Sequence, residues 1–380
     1  MKAQQVSEEL MERAAELKGM LVDFALSPRF DRELAPVIAE NFPDGLVTDE
    51  ATFSMVVDEF ALQHRLRSGT TVVEAFTDAH PELTSADREM LLGWRDVVQG
   101  MFEVTRKDRD AVTLFSFLDE LTYRARSNLG RQAYRPLKKG MIVVCRLVRV
   151  GDDWMISGHM AIFPVSVRRQ MLAVAARQAM SRPEAVFRNP AKLAEARQML
   201  DEHRAAFVTL FGSDLIVVPG PDVPGKVAEF HRHLARQHRP GADPPEVPGM
   251  EFPDHLLDDD GVAIHFVEGA GLSFYPGYHR LEELFANPSL LARRSYRETL
   301  SGCLRDPDNS PELLRRLAAR DSAKANAVFA KLLKRKRGFS WDADGEELLR
   351  QHKPSFFDGT LLPRTVPLSD LLSDALREDG

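Results

Sequence analysis

Between Met101 and Phe163 the chain carries five short runs rich in Val, Ile, Phe and Thr: MFEVT, AVTLFSFL, LTYRARS, MIVVCRLVRV and WMISGHMAIF. Turn-forming clusters separate most of them: Lys107-Asp108-Arg109-Asp110, Asp119-Glu120 and Gly151-Asp152-Asp153. Pro136-Leu137-Lys138-Lys139-Gly140 punctuates the middle. β-branched and aromatic runs bounded by turn residues predict strands. Five of them so close in sequence predict a small, strongly curved antiparallel sheet or barrel.

The flanks have a different period. Val6, Leu10, Ala14, Leu17, Leu21 and Phe24 recur at spacings of four and three, which predicts a helix over 4–26 with one apolar face. That face serves either a partner helix or the helix's own domain. Further helices are predicted over 48–65, 70–79 and 85–99, the last opened by a capping box of Thr84 and Asp87. Residues 166–210 read as helical, with Asn189-Pro190 as a cap followed by proline and Gly212 as a stop. Asp214–Val218 reads as a buried strand, and a helix follows over 224–238. The run RPGADPPEVPG at 239–249 predicts a linker or exposed loop. GVAIHFV and GLSFY predict a hairpin turning at Glu268-Gly269-Ala270. Asn287-Pro288 and Ser310-Pro311 open helices in a mainly helical C-terminal stretch.

The expected class is therefore α+β: a helical N-terminal region over 1–100, a small antiparallel β-barrel-like unit over 101–165, a mixed α/β region over 166–285, and a mainly helical region over 286–380. A chain of 380 residues, 44% hydrophobic and 28% charged, is the size of two or three ordinary globular domains. No run approaches the roughly 18 apolar residues of a membrane span. The opening MKAQQVSEELMERAAELK has charges where a secretory signal needs its apolar stretch. Cys145 and Cys303 alone build neither a disulfide framework nor a cysteine zinc site. These features place the chain in the cytoplasm.

Charge is laid down in blocks. The net charge of -7 resolves into about -10 over 1–100, +9 over 101–200, -9 over 201–285, +8 over 286–340 and -5 over 341–380. Either the blocks face each other within one molecule, or one or both basic blocks face a polyanion.

Catalytic signatures are missing from the sequence. His231 and His238 share a helix face but stand about 10 Å apart by helix rise, too far for one metal ion, and His233 points elsewhere. Ser213 belongs to a helix-to-strand turn and lacks the nucleophile signature Gly-x-Ser-x-Gly. No glycine-rich phosphate loop occurs, so no cofactor or metal is expected, and the balance leans away from an enzyme. What remains is basic surface. Lys331, Lys334, Arg335, Lys336 and Arg337 precede Phe339 and Trp341; Arg124, Arg126, Lys138 and Lys139 cluster near Tyr134. Basic residues interleaved with aromatics suit a nucleic acid, through phosphate neutralisation and stacking, or an acidic protein partner. Phe339 and Trp341 suit a helix-start staple equally well.

MFEV, LTYRARSN and LKKGMIVVCRLVRVGDDWMISG, followed by FGSDLIVVPGP, GLSFYPGYHRLEELFANP and FSWDADGEELLRQHKP, resemble segments of a family of uncharacterised bacterial cytoplasmic proteins, over roughly 50–355. Some of its relatives carry a SEC-C zinc motif, which the two distant cysteines here cannot form. The resemblance implies a soluble multi-domain protein and transfers no site residues. The expected role is a non-enzymatic binding or regulatory protein whose basic segments engage a polyanionic or acidic partner. Two alternatives stand beside it: an oligomeric interaction module built on helix 4–26 with intramolecular charge pairing, and an enzyme whose site is assembled from residues distant in sequence.

Overall fold

The computed structural model describes residues 8–43, 49–127, 130–238, 251–334 and 338–377. The Pro-rich segment 239–249, Arg335, Lys336 and Arg337 lie outside the described residues. The chain forms two compact units, one of residues 1–189 with 368–380 and one of residues 190–367.

The first unit joins a helical layer to a barrel. Helices α1 (Glu8–Ala25), α2 (Asp31–Asn41), α3 (Glu50–Leu62), α4 (Val72–Ala79) and α5 (Ser85–Gly93) come first. In α1 the stripe Ala14, Leu17, Leu21 and Ala25 is fully buried in this unit's own core, so the face that suits a partner seam is used at home. Thr71 with Glu74 and Thr84 with Asp87 both form reciprocal capping boxes. The predicted helix over 85–99 stops at Gly93, because Val98 already enters the first strand.

Strands β1 (Val98–Lys107), β2 (Val112–Ser116), β3 (Thr122–Ser127), β4 (Ile142–Val150) and β5 (Asp153–Phe163) close a barrel in the order β1-β2-β3-β5-β4. Four of the neighbouring pairs are antiparallel and β3–β5 is parallel. An alternating ring of five strands must contain one parallel pair, so the expected antiparallel barrel cannot be antiparallel throughout. This order with a parallel β3–β5 closure is the connectivity of OB-type barrels. β1 is long enough to pair with both β2 and β4, and it bends at a register shift between Val104 and Arg106. Val98, Phe102, Val104, Val112, Leu114, Tyr123 and Leu147 fill the interior. Val148, Val150 and Met155 instead join the core under the helices. Strand β4 thus has apolar neighbours on both faces, which accounts for its nearly unbroken apolar run. Trp94, fully buried, donates its indole N–H to the Arg149 carbonyl and ties the end of α5 to β4. Helices α6 (Arg168–Ser181) and α7 (Pro183–Val186) follow, and the C-terminal helix Asp370–Arg377 packs on α6.

The second unit opens with α8 (Pro190–Phe211), stopped by Gly212 at φ 75°. β6 (Leu215–Val218), α9 (Val223–His238), α10 (Asp254–Leu257), β7 (Val262–Val267) and β8 (Gly271–Tyr275) follow. The three strands form an antiparallel sheet in the order β6-β7-β8. β7 is central and wholly buried. β6 is an edge strand and only partly covered, where the sequence predicts a buried one. Val262, Ile264 and Phe266 pack with α8 and α9. Ala263 and Tyr275 pack with the helices α11 (Tyr278–Ala286), α12 (Arg294–Arg305), α13 (Glu312–Arg320), α14 (Ser322–Leu333) and α15 (Trp341–His352).

Candidate functional site

One end of the barrel carries several exposed basic residues. At the last residue of β1, Lys107 donates from Nζ to the carbonyls of Tyr134, Arg135 and Leu137, at 2.6, 3.3 and 3.2 Å. The lysine thereby clamps the segment after β3 onto the β1–β2 hairpin. Gly140 continues the join, its N–H donating to the Val104 carbonyl at 2.8 Å. Around the clamp stand Arg109, Arg135, Lys138 and Lys139, all exposed and none with a carboxylate partner among the described residues. Nearby Arg106 pairs with Asp108 on the same loop. An ammonium or guanidinium with no carboxylate neighbour keeps its full attraction for an external anion, and four so close raise the local potential.

Beneath this rim lies a paired layer. Arg124 and Arg126 project from β3 and share two carboxylates. Arg126 lies 3.1 Å from Asp110 and 3.2 Å from Asp153; Arg124 lies 3.6 Å from Asp110 and hydrogen-bonds Asp153 directly. Asp110 comes from the β1–β2 loop and Asp153 from the start of β5, so the two loops meet across β3. Tyr134 packs inside the barrel, and burial pushes its phenol pKa up.

The predicted site residues therefore divide. Arg124, Arg126, Tyr134, Lys138 and Lys139 come together at this end of the barrel, although Tyr134 is buried and Arg124 and Arg126 are ion-paired. Lys331 and Lys334 belong to the second unit, exposed in the last turn of α14 and at its C-cap. Phe339 is buried, and Trp341 stacks on Phe329 with ring centroids 5.0 Å apart. Both rings therefore pack α14 against α15, as a helix-start staple would. Lys107 and Arg109 read in the sequence as turn punctuation; nothing local announces that Lys107 reaches across to carbonyls some thirty residues away.

Cavities are found elsewhere in both units. A polar cavity of about 440 Å³ in the first unit is lined by Glu59, Asp96, Asp119, Arg95 and Arg188 among others. Its charged groups are largely engaged with one another or with neighbours: Arg188 with Asp96, Arg95 with Glu74, Glu59 with Arg146, and Asp119 with the Tyr123 hydroxyl. Burial pushes the Cys145 and Cys303 thiols up to about 12 and about 11, so neither holds an appreciable thiolate fraction at neutral pH. Among the described residues no group of His, Cys, Asp and Glu is placed to hold a metal ion. No helix among them is long and apolar enough to cross a membrane.

The charge blocks largely meet each other. In the first unit Arg146 pairs with Asp58 and Glu59, and Arg188 with Asp96. In the second, Arg316 pairs with Asp214 and Arg320 with Glu282. Each unit thus joins an acidic block to the basic block that follows it.

A family model, described as a family of unknown function (DUF7986), matches residues 38–186. That stretch runs from late in α2 to the end of α7 and contains the whole barrel. No curated protein and no solved structure matches the chain significantly.

Proposed function

We propose that this protein is a non-enzymatic binding protein that engages a polyanionic partner through the Lys107 end of its barrel. The observation that carries the reading is the Lys107 clamp on the segment 134–137, beside which Arg109, Arg135, Lys138 and Lys139 stand exposed without carboxylate partners among the described residues. A structure that needed those charges only for solubility has no reason to gather them with three lysine-to-carbonyl hydrogen bonds. OB-type barrels bind oligonucleotides and oligosaccharides over strands 2–3 and the adjoining loops, a fold-level analogy that supports the same face. The rim is basic but carries no exposed aromatic, so the binding is electrostatic, with stacking a minor part. Lys331, Lys334 and the basic run after them form a second basic segment for the same partner class. Two buried free cysteines fit a reducing compartment, and we place the protein in the cytoplasm.

The test is fluorescence anisotropy with labelled single-stranded RNA and DNA across about 50 to 200 mM salt. Four phosphate contacts give a slope near -0.7 per contact for single strands, or roughly a fifty-fold loss over that range. Replacing Lys138 and Lys139 together by glutamate should flatten the slope by at least about 1.4 and leave the fold intact. Binding that ignores this replacement would remove the barrel from the reading.

A further inference from the structure

One buried donor at the barrel mouth lacks an acceptor, and a second is poorly aimed at its own. Tyr134 is 2% exposed, and its hydroxyl has no hydrogen-bond partner among the described residues. Arg126 is 6% exposed, and its Nε lies 3.2 Å from the Asp153 carboxylate without the geometry of a hydrogen bond. The two share one neighbourhood. The turn Arg131–Tyr134 packs on β3, which carries Arg126. The charges of Arg126, Asp110, Arg124 and Asp153 all act on the Tyr134 phenol. An unpaired buried donor carries the full desolvation cost of its group, and folded proteins hold few of them. A buried phenol O–H beside a pair of guanidinium groups calls for an acceptor that the described residues do not supply.

The two carboxylates present differ in how firmly they are held. The Asp153 side chain is 8% exposed and is gripped by both Arg124 and Arg126. Asp110 is 28% exposed, sits on the β1–β2 loop, and touches the same arginines only at their outer nitrogens, 3.1 and 3.6 Å away. Asp110 is thus the more loosely held of the two.

We infer that this mouth is an oxyanion site for a phosphodiester, in which Arg124, Arg126 and Tyr134 hold one phosphate once Asp110 has swung out. The inference deepens the polyanion reading, and rests on it for the macromolecule that brings the phosphate. Charge selects the ester. With Asp110 in place, two guanidinium groups face two carboxylates. With Asp110 out, one positive charge remains, matching the single negative charge of a diester and not the nearly double charge of a monoester. The guanidinium fork and the phenol O–H both donate, and the phosphate oxygens accept, which are charge-assisted bonds. Asp110 keeps the site weak for isolated phosphates. A strand whose neighbouring phosphates lie on Arg109, Arg135, Lys138 and Lys139 gains enough local concentration to displace it.

Asp110→Asn and Tyr134→Phe in the full chain test this. Each is titrated with labelled single-stranded DNA and RNA by anisotropy, and with dimethyl phosphate, inorganic phosphate and polyglutamate by thermal shift. Asp110→Asn should tighten strand binding about tenfold and raise the melting temperature with dimethyl phosphate at concentrations that leave wild type unmoved. Tyr134→Phe removes a hydroxyl with no partner, so the ligand-free melting temperature should hold or rise while strand binding weakens about three- to tenfold. A merely structural tyrosine would lower the melting temperature instead. If both variants bind strands as wild type does while Lys138→Glu with Lys139→Glu abolishes binding, the oxyanion site is overturned and the polyanion reading stands. If neither wild type nor Asp110→Asn responds to strands or dimethyl phosphate, both fall. A preference for inorganic phosphate, or polyglutamate binding indifferent to Asp110, overturns the diester assignment.

Discussion

Asp58→Ala should cost the first unit about 4 kcal/mol. Asp58 on α3 is 2% exposed and sits where α1, α3 and the barrel strands meet. Its Oδ1 accepts from Ser157 Oγ at 2.7 Å and lies 2.5 Å from Lys18 Nζ, and its Oδ2 faces Arg146 at 3.7 Å. The two cations depend on it unequally. Arg146 also donates to Gln99, to the Met55 carbonyl and to Glu59. Lys18, 3% exposed, has no other anion within reach among the described residues. Removing the carboxylate therefore strands a buried ammonium, a loss of about 3–5 kcal/mol, and takes the acceptor from Ser157, about 1 kcal/mol more. Backbone and water relaxation offset part of this. Lys18→Met leaves Asp58 with the serine hydroxyl and the guanidinium, and should cost only about 1–2 kcal/mol. The double variant Lys18→Met/Asp58→Ala should recover about 2 kcal/mol relative to additivity. Urea unfolding followed by tryptophan fluorescence reads these directly, since Trp94 is buried in the same core. An Asp58→Ala loss under about 1 kcal/mol, or Lys18→Met equal to Asp58→Ala, would refute the reasoning.

Gly158→Ala should weaken the same junction by about 2 kcal/mol, because Gly158 holds φ 68° and an added Cβ would meet Asp58 at 3.2 Å; urea unfolding checks it, and a neutral outcome would mean that the strand shifts freely. His265→Leu should remove a pH dependence from the second unit. Burial, and then Arg316, lower the His265 pKa to about 4, so the folded unit keeps it neutral while the unfolded chain protonates it from about 6.5 downward. Stability is thus present above pH 6.5 and is lost as pH falls toward 4, by up to about 3 kcal/mol. Urea unfolding at pH 7, 5.5 and 4.5 should show wild type losing more stability than His265→Leu; parallel losses would sink the idea.

Where physics is local, the sequence carries it. The five strands, the Thr84–Asp87 capping box, the stop at Gly212 and the hairpin at Glu268-Gly269-Ala270 depend on neighbours a few residues apart, and all are found where the periods and turn residues put them. The end of α5 is not local: Trp94 and Val98 leave the helix because β1 must reach both β2 and β4. The site is less legible still. Arg124 and Arg126 stand out by type, but their partners Asp110 and Asp153 come from two different loops. Tyr134 looks like an exposed stacking residue until Lys107, from another strand, fixes its turn against the barrel. Phe339 and Trp341 follow a basic run and read as a binding pair, yet Phe329 from the preceding helix claims both.

The two ends of β1 have opposite chemistry, and this separates holding the fold from binding. At the Val98 end Arg146, in register with Gln99, is tied into α3, and Arg188 closes on Asp96 and the Val97 carbonyl. The positive charge is consumed there, joining barrel to helices. At the Lys107 end, roughly 30 Å of strand away at about 3.3 Å per residue, Arg109, Arg135, Lys138 and Lys139 have no carboxylate partner among the described residues and stay exposed. Screening over about 8–10 Å at physiological salt makes the two ends electrostatically independent. Asp58→Ala should therefore lower stability without altering the salt slope of strand binding, while Lys138→Glu with Lys139→Glu should do the reverse. A binding loss in Asp58→Ala at temperatures where the unit remains folded would show that the ends are coupled through the barrel itself.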